Sequence, residues 1–258
     1  MLFIDNRPAA DACVGFFFRD NTSVLRLDCS DLTVIIPTLN ECGNIKRMIA
    51  ALTGTYGNIS VIVSDDGSTD GTQDIVRAIG RVNKRVRLLD RSRKKIHGLT
   101  ASVLDAALIA GTKKIIVMDG DMQHPPEKVG SIARGLDSRD LVVGVRTAIS
   151  DWGIGRRMIS KGMAYLSYAL FALGNRRRCN DMMSGFFGID SALFKRLIRD
   201  NRKGFVEEGY KVLLDILRMM GRDGTIGEVE YSTFHLRKEG SSKFRFRHVL
   251  LTLRSTLG

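Results

Sequence analysis

The chain has 258 residues, 44% of them hydrophobic and 26% charged, with 40 Lys and Arg against 28 Asp and Glu for a formal charge of +12. That balance excludes a disordered, collagen-like or coiled-coil chain and is enough for one large domain or two small ones. The basic excess points to an anionic partner: nucleic acid, a phosphorylated metabolite or an acidic membrane face.

Residues before about Ser30 read as an extension. Met1–Arg19 carries Asp5, Arg7 and Asp11 before a short Val14–Phe18 patch, too acidic and too short for a secretory signal. From Leu32 to Gly144 short β-branched runs (Thr33–Ile36, Ser60–Val63, Val86–Leu89, Ile115–Met118, Leu141–Val143) alternate with helix-length stretches (Glu41–Leu52, Thr69–Ile79, Leu99–Ala110, Pro125–Leu136). The runs are largely apolar, as strands buried on both faces require, so the pattern predicts an α/β fold with a mainly parallel sheet flanked by helices. After Arg146 the pattern changes. Ile154–Leu173 and Val206–Met220 read as helices, Gly185–Ile189 and Thr225–Tyr231 as strands, and Arg176–Arg178 as a basic loop. The tail Phe244–Leu257 mixes Phe, Val and Leu with Arg245, Arg247 and Arg254. It reads either as an amphipathic helix at a membrane interface or as a helix packed on the domain.

No apolar run reaches the roughly 18 residues of a membrane span. The four cysteines, Cys13, Cys29, Cys42 and Cys179, show no CxxC spacing, which suits free thiols in a reducing compartment. These features predict a cytoplasmic protein without a transmembrane helix.

Polar clusters follow three of the strands, at the sheet edge where open α/β folds bind ligands. In Val34–Glu41 a strand ends at Pro37, Asn40 is placed to cap the next helix and Glu41 to lie in its first turn. In Val63–Thr72 two carboxylates, Asp65 and Asp66, precede Gly and hydroxyl residues. That suits contacts to a base and ribose, or a turn with a cap. In Met118–Pro126, Asp119 and Asp121 flank Gly120. Carboxylate and amide oxygens are hard ligands for Mg²⁺ or Mn²⁺, and the spacing puts Asp121 and Gln123 on one side of an extended chain. The bland reading of the third cluster is a polar loop ahead of the Pro125 helix.

Read together, PTLNE (Pro37–Glu41), DDGSTDGT (Asp65–Thr72) and DGDMQHPP (Asp119–Pro126) resemble the motifs of family 2 glycosyltransferases of the GT-A fold. Within that family the resemblance is to the dolichol-phosphate mannosyltransferases and their bacterial polyprenyl-phosphate relatives. Gly144-Val145-Arg146 resembles their GSR element, Ser184-Gly185-Phe186 their SGF element, and Arg237–Lys243 their RxxGxSK loop. The chain departs from the pattern at Leu39, where Tyr is frequent, at Gly120, where Ala is usual, and at Thr100, which replaces the second glycine of a GLG turn.

The resemblance implies an inverting, metal-dependent transferase that moves a sugar from a nucleotide diphosphosugar, with GDP-mannose foremost, to a polyprenyl phosphate. It implies a Mg²⁺ or Mn²⁺ ion on Asp119, Asp121 and Gln123. The donor would be bound by Pro37, Leu39, Glu41, Val63, Asp65, Asp119, Gly120, Asp121, Arg146, Arg237 and Lys243, of which Asp121, Arg146, Arg237 and Lys243 carry catalysis. It places the enzyme peripherally at the cytoplasmic face of an anionic membrane. The implied domains are an extension (1–30), a catalytic domain (31–243) and a basic C-terminal segment (244–258). A UDP-sugar donor, or a soluble or polysaccharide acceptor, is the alternative; the latter needs a general base, for which Glu207 and Glu208 are the nearest carboxylates. Nucleic acid is not an expected partner, because Arg81–Lys95 holds eight basic residues and no aromatic to stack on bases.

Overall fold

A computed structural model describes residues 27–147, 179–221 and 223–232. Seven strands form one sheet: β2 (Leu32–Thr38), β4 (Ser60–Asp65), β5 (Val86–Asp90), β6 (Lys114–Val117), β7 (Leu141–Arg146), β8 (Phe187–Asp190) and β9 (Ile226–Tyr231). Their order is β5-β4-β2-β6-β8-β7-β9, and every neighbour pair is parallel except those of β8, which runs antiparallel to β6 and β7. A separate parallel pair joins β1 (Leu27–Asp28) to β3 (Tyr56–Gly57). The extension predicted before Ser30 therefore ends inside the fold, with Leu27 and Asp28 paired to the chain.

The continuous apolar runs are explained by two covered faces. Val34, Ile36, Val61, Val63 and Ile116 point to one side, against α1 (Cys42–Thr55), α2 (Thr72–Val82) and α4 (Val129–Gly135). Ile35, Ile62, Ile115 and Val117 point to the other, against α3 (Leu99–Ile109), α5 (Ser191–Asn201) and α6 (Val212–Met219). Each fully buried Val, Ile or Leu side chain contributes about 1.5–3 kcal/mol. The helix after β2 and the helix before β6 thus lie on opposite faces, and the chain diverges at the carboxyl end of β2. Such a switch point opens a crevice between strand ends.

Three boundaries differ from expectation. The second helix begins at Thr72, three residues late, because Gly71 takes a left-handed φ of 92° as its N-cap. Residues 206–211 are not helical; α6 starts at Val212. The helix α5 was not anticipated, although its signal is present: Asp190 accepts the Leu193 amide at 2.8 Å as an N-cap ahead of an amphipathic run. The expected helix over 154–173, the basic run 176–178, the loop 237–243 and the tail 244–257 lie outside the described residues.

Candidate active site

The first two motifs are cross-stitched. The amides of Asn40, Glu41 and Cys42 donate to Ser68 Oγ (2.7 Å), Thr72 Oγ1 (2.9 Å) and Asp70 Oδ2 (3.0 Å). In return the Thr69 amide donates to Asn40 Oδ1 at 2.9 Å. Asn40 therefore does not cap α1. It sits in a left-handed turn (φ 56°), Glu41 is the N-cap residue rather than a first-turn residue, and its carboxylate accepts from Asn44 Nδ2 at 3.1 Å. Burial opposes ionisation of Asp70, but hydrogen bonds from Thr72 and the Cys42 amide win and hold its carboxyl well below the usual carboxylate range.

Asp65 and Asp66 are consumed inside the fold. Asp65 is fully buried and accepts from the Gly67 and Ser68 amides, Ser68 Oγ, Thr38 Oγ1 and Gln73 Nε2. Asp66 accepts from the Gly98 amide at 2.7 Å and pairs with Arg91, which is 1% exposed. Through these bonds Asp65 and Asp66 both build the loop, as the turn reading of this motif expects. Val63 is likewise a core side chain and Pro37 is buried in β2, whereas Leu39 stands 44% exposed at the lip of the crevice.

Arg91 ties this loop to α3 and the segment before it. It donates to Asp105 Oδ2 (3.0 Å), Ser102 Oγ (2.9 Å) and the Ile96 carbonyl (2.9 Å). Asp105 also takes Arg202 Nη2 at 3.0 Å, and Arg202 grips Glu207 through Nε and Nη2. Glu207 is therefore spent on an ion pair, against its candidacy as a base. The first turn of α3 completes the clamp: the Thr100 and Ala101 amides donate to the Gly209 and Glu207 carbonyls, each at 3.0 Å. Gly98 permits this approach, since a Cβ there would lie 2.5 Å from the Glu207 carbonyl oxygen.

The third motif is a turn, not an extended chain. Met122 has φ 64° and the Gln123 amide donates to Asp121 Oδ1 at 3.1 Å, so the expected alternation of Asp121 and Gln123 along a strand does not hold. Asp119, its side chain 40% exposed, opens into the crevice at the end of β6. Behind it lies His124, which burial keeps neutral. Its Nδ1 accepts the Asp119 amide at 2.9 Å, so the ring proton sits on Nε2, 3.7 Å from Asp119 Oδ2. The ring stacks on Phe186 (centroids 5.2 Å) and meets Tyr231 edge-on. Gly185 closes over the pair: a Cβ there would stand 3.3 Å from Asp119 Oδ2 and 3.2 Å from His124 Cε1. Partial burial, reinforced by the Asp121 carboxylate, raises the Asp119 carboxyl above its ordinary range.

Arg146, at the end of β7, donates through Nε (2.8 Å) and Nη2 (3.1 Å) to Asp181, a residue sequence reasoning missed. Lys211, also missed, lies within electrostatic reach of Asp119, Arg146 and Asp181. Leu39–Glu41, Asp119–Gln123 and Arg146 thus follow or close the ends of β2, β6 and β7 in one sheet, with Asp181 bonded to Arg146 and Lys211 to the Met183 carbonyl. Arg237 and Lys243 lie outside the described residues. Among the described residues no three His, Cys, Asp or Glu side chains gather into a metal-binding group, and no helix is long and apolar enough to cross a membrane.

The sheet and its flanking helices form a GT-A architecture, with carboxylates and cations at strand ends. Solved structures sharing it include mannosyl-3-phosphoglycerate synthase from Rubrobacter xylanophilus (TM-score 0.64, 15% identity, 87% of this chain and 72% of that one). Another is glucosyl-3-phosphoglycerate synthase from Mycobacterium tuberculosis in complex with Mn²⁺, UDP and glucosyl-3-phosphoglycerate (TM-score 0.61, 18% identity, 87% and 79% covered). At these identities the likeness is one of fold. The chain belongs to glycosyl transferase family 2, whose family model matches residues 33–198. It is 32% identical over 226 residues to the dolichol-phosphate mannosyltransferase of Mycosarcoma maydis, covering 82% of this chain and 72% of that protein. The Saccharomyces cerevisiae enzyme of the same name is 32% identical over 227 residues, with 83% and 80% covered.

Proposed function

We propose that this glycosyltransferase moves mannose from GDP-mannose to a polyprenyl phosphate at a membrane surface. The observation that carries this reading is the 32% identity, over more than four-fifths of the chain, to proteins named dolichol-phosphate mannosyltransferase. The residues suit the chemistry. A polyprenyl phosphate has a second pKa near ~6, so it reaches neutral pH largely as a dianion and needs no base to attack the anomeric carbon. The nucleoside diphosphate leaves as the new bond forms, and the protein's task is positioning and charge neutralisation. The capture of Glu207 by Arg202 takes up one of the two carboxylates that a hydroxyl acceptor would call on as a base.

Asp119 and Asp121, half-exposed at a strand end, fit a hard divalent cation. Two carboxylates are few for a closed protein site, but Mg²⁺-type ions complete their shell with phosphates and water. When bound with Gln123 as a third ligand, Mg²⁺ or Mn²⁺ would neutralise diphosphate charge. His124 holds the Asp119 backbone in place through Nδ1. Asp181 takes Nε and Nη2 of Arg146 and leaves Nη1 for a phosphate oxygen. We assign Arg237 and Lys243 to the same phosphates, Leu39, Glu41 and Gly120 to the donor rim, and the basic tail over 244–258 to peripheral attachment at the cytoplasmic face.

The test is incubation with GDP-mannose, UDP-glucose and other sugar nucleotides, polyprenyl phosphate, and Mg²⁺ or Mn²⁺, followed by lipid extraction. Labelled mannose in the lipid phase is expected. Label that appears only on a soluble acceptor, or only from UDP-sugars, would overturn the assignment.

A further inference from the structure

Lys211 directly precedes α6, and its setting is not explained by the fold. Nζ donates to the Met183 carbonyl at 2.8 Å and lies 4.8 Å from the centre of the Tyr210 ring. Among the described residues no carboxylate forms an ion pair with it, although the side chain is partly buried. Burial first, and the charge of Arg146 second, pull its ammonium down to about 8 against the opposing pull of Asp181 and Asp119. Arg146 has its counter-ion in Asp181; among the described residues Lys211 shares that neighbourhood without one.

The segment that carries Lys211 is fastened independently of any ligand. The start of α3 holds the Glu207 and Gly209 carbonyls, Arg202 holds the Glu207 carboxylate, and Asp215 accepts the Val206 amide at 3.0 Å. Lys211 is thus held by a braced loop against the Asp181–Met183 turn, whose Asp181 binds Arg146. A desolvated ammonium satisfied by one carbonyl and a ring face is costly to maintain. An anion arriving beside it would offset that cost. Lysine is a compact point charge that suits a phosphate oxygen.

We propose that Lys211 is a phosphate-binding residue of this site, donating through Nζ to a non-bridging oxygen of a substrate phosphate. This rests on the reading of the protein as a glycosyltransferase with phosphate-bearing substrates. The phosphate belongs either to the nucleotide diphosphate or to the polyprenyl phosphate, and the two sources separate experimentally.

The full-length protein and its Lys211→Gln, Lys211→Met and Lys211→Arg variants are titrated calorimetrically with GDP and with inorganic pyrophosphate in Mn²⁺. KM for polyprenyl phosphate is measured alongside. Loss of a charge-assisted bond is expected to weaken one arm by about tenfold or more in the Gln and Met variants, with Arg recovering most of it. A donor phosphate lowers the affinity for GDP and pyrophosphate and leaves the lipid KM unchanged; an acceptor phosphate does the reverse. Unchanged values in both arms, with a wild-type melting temperature, overturn the proposal. So does an Arg variant as impaired as the Met variant, because that marks shape rather than charge. If the Met variant does not fold, the Gln and Arg pair decides. Pyrophosphate affinity that depends on Lys211, in a protein that transfers nothing to polyprenyl phosphate, upholds the phosphate site and removes the lipid acceptor instead.

Discussion

Replacing Arg91 by Met tests whether the loop after β4 is held by buried charge. Arg91 is 1% exposed, and the carboxylates it serves, Asp66 and Asp105, are 9% and 15% exposed. Removing one partner of a buried pair typically costs about 3–5 kcal/mol, because the other charge is left uncompensated. Here the lower end applies. Asp105 keeps Arg202 at 3.0 Å, and Asp66 keeps the Gly98 amide at 2.7 Å and His97 at 3.1 Å. A loss of about 3 kcal/mol corresponds to a fall of about 6–12 °C in melting temperature for a protein of this size. Thermal and urea unfolding of the variant, with Asp66→Asn and Asp105→Asn in a double-mutant cycle, measure it. A change below about 1 kcal/mol, or strict additivity of Arg91→Met with both partners, would refute the reasoning.

Three further outcomes are expected. Asp121→Ala abolishes transfer and metal-dependent donor binding while leaving the melting temperature near wild type; transfer at the wild-type rate would remove Asp121 from the site. Asp65→Ala lowers stability by about 1–3 kcal/mol, since Thr38 Oγ1 and the Ser68 groups lose a buried acceptor, and an unchanged unfolding midpoint would leave Asp65 as a mere donor contact. Asp70 has a folded pKa depressed below the ordinary 3.8, so its contribution to stability is fully present above that value and is lost as pH falls through the lowered one. Asp70→Asn should therefore flatten the acid limb of the stability profile below about pH 4; an identical limb in wild type and variant would argue against the Cys42 and Thr72 bonds.

Much of this protein was written locally. The two-sided burial of Val34–Ile36 and Val61–Val63 demands unbroken apolar runs, and turn and cap chemistry follows each, so strands, helices and the strand-end motifs are legible in order. The helix α5 was legible too, from Asp190 and the run after it. What each polar side chain does was not legible, because a carboxylate's role depends on which cations and amides the chain brings to it from far away. Asp65 and Asp66 stand side by side in the sequence; in three dimensions Asp65 is bonded by Ser68 and Gln73 and Asp66 by Arg91 and Gly98. Glu207 looks like a base until Arg202 reaches it. Asp181 and Lys211 stand in no motif. They join the site because β8 runs antiparallel between β6 and β7, carrying the Asp181–Met183 turn to the same sheet edge, and because α3 pins the Glu207–Gly209 loop beside it. Local periodicity and turn chemistry act over a few residues and decide the elements; charge pairing acts through space and is decided only once the sheet is assembled.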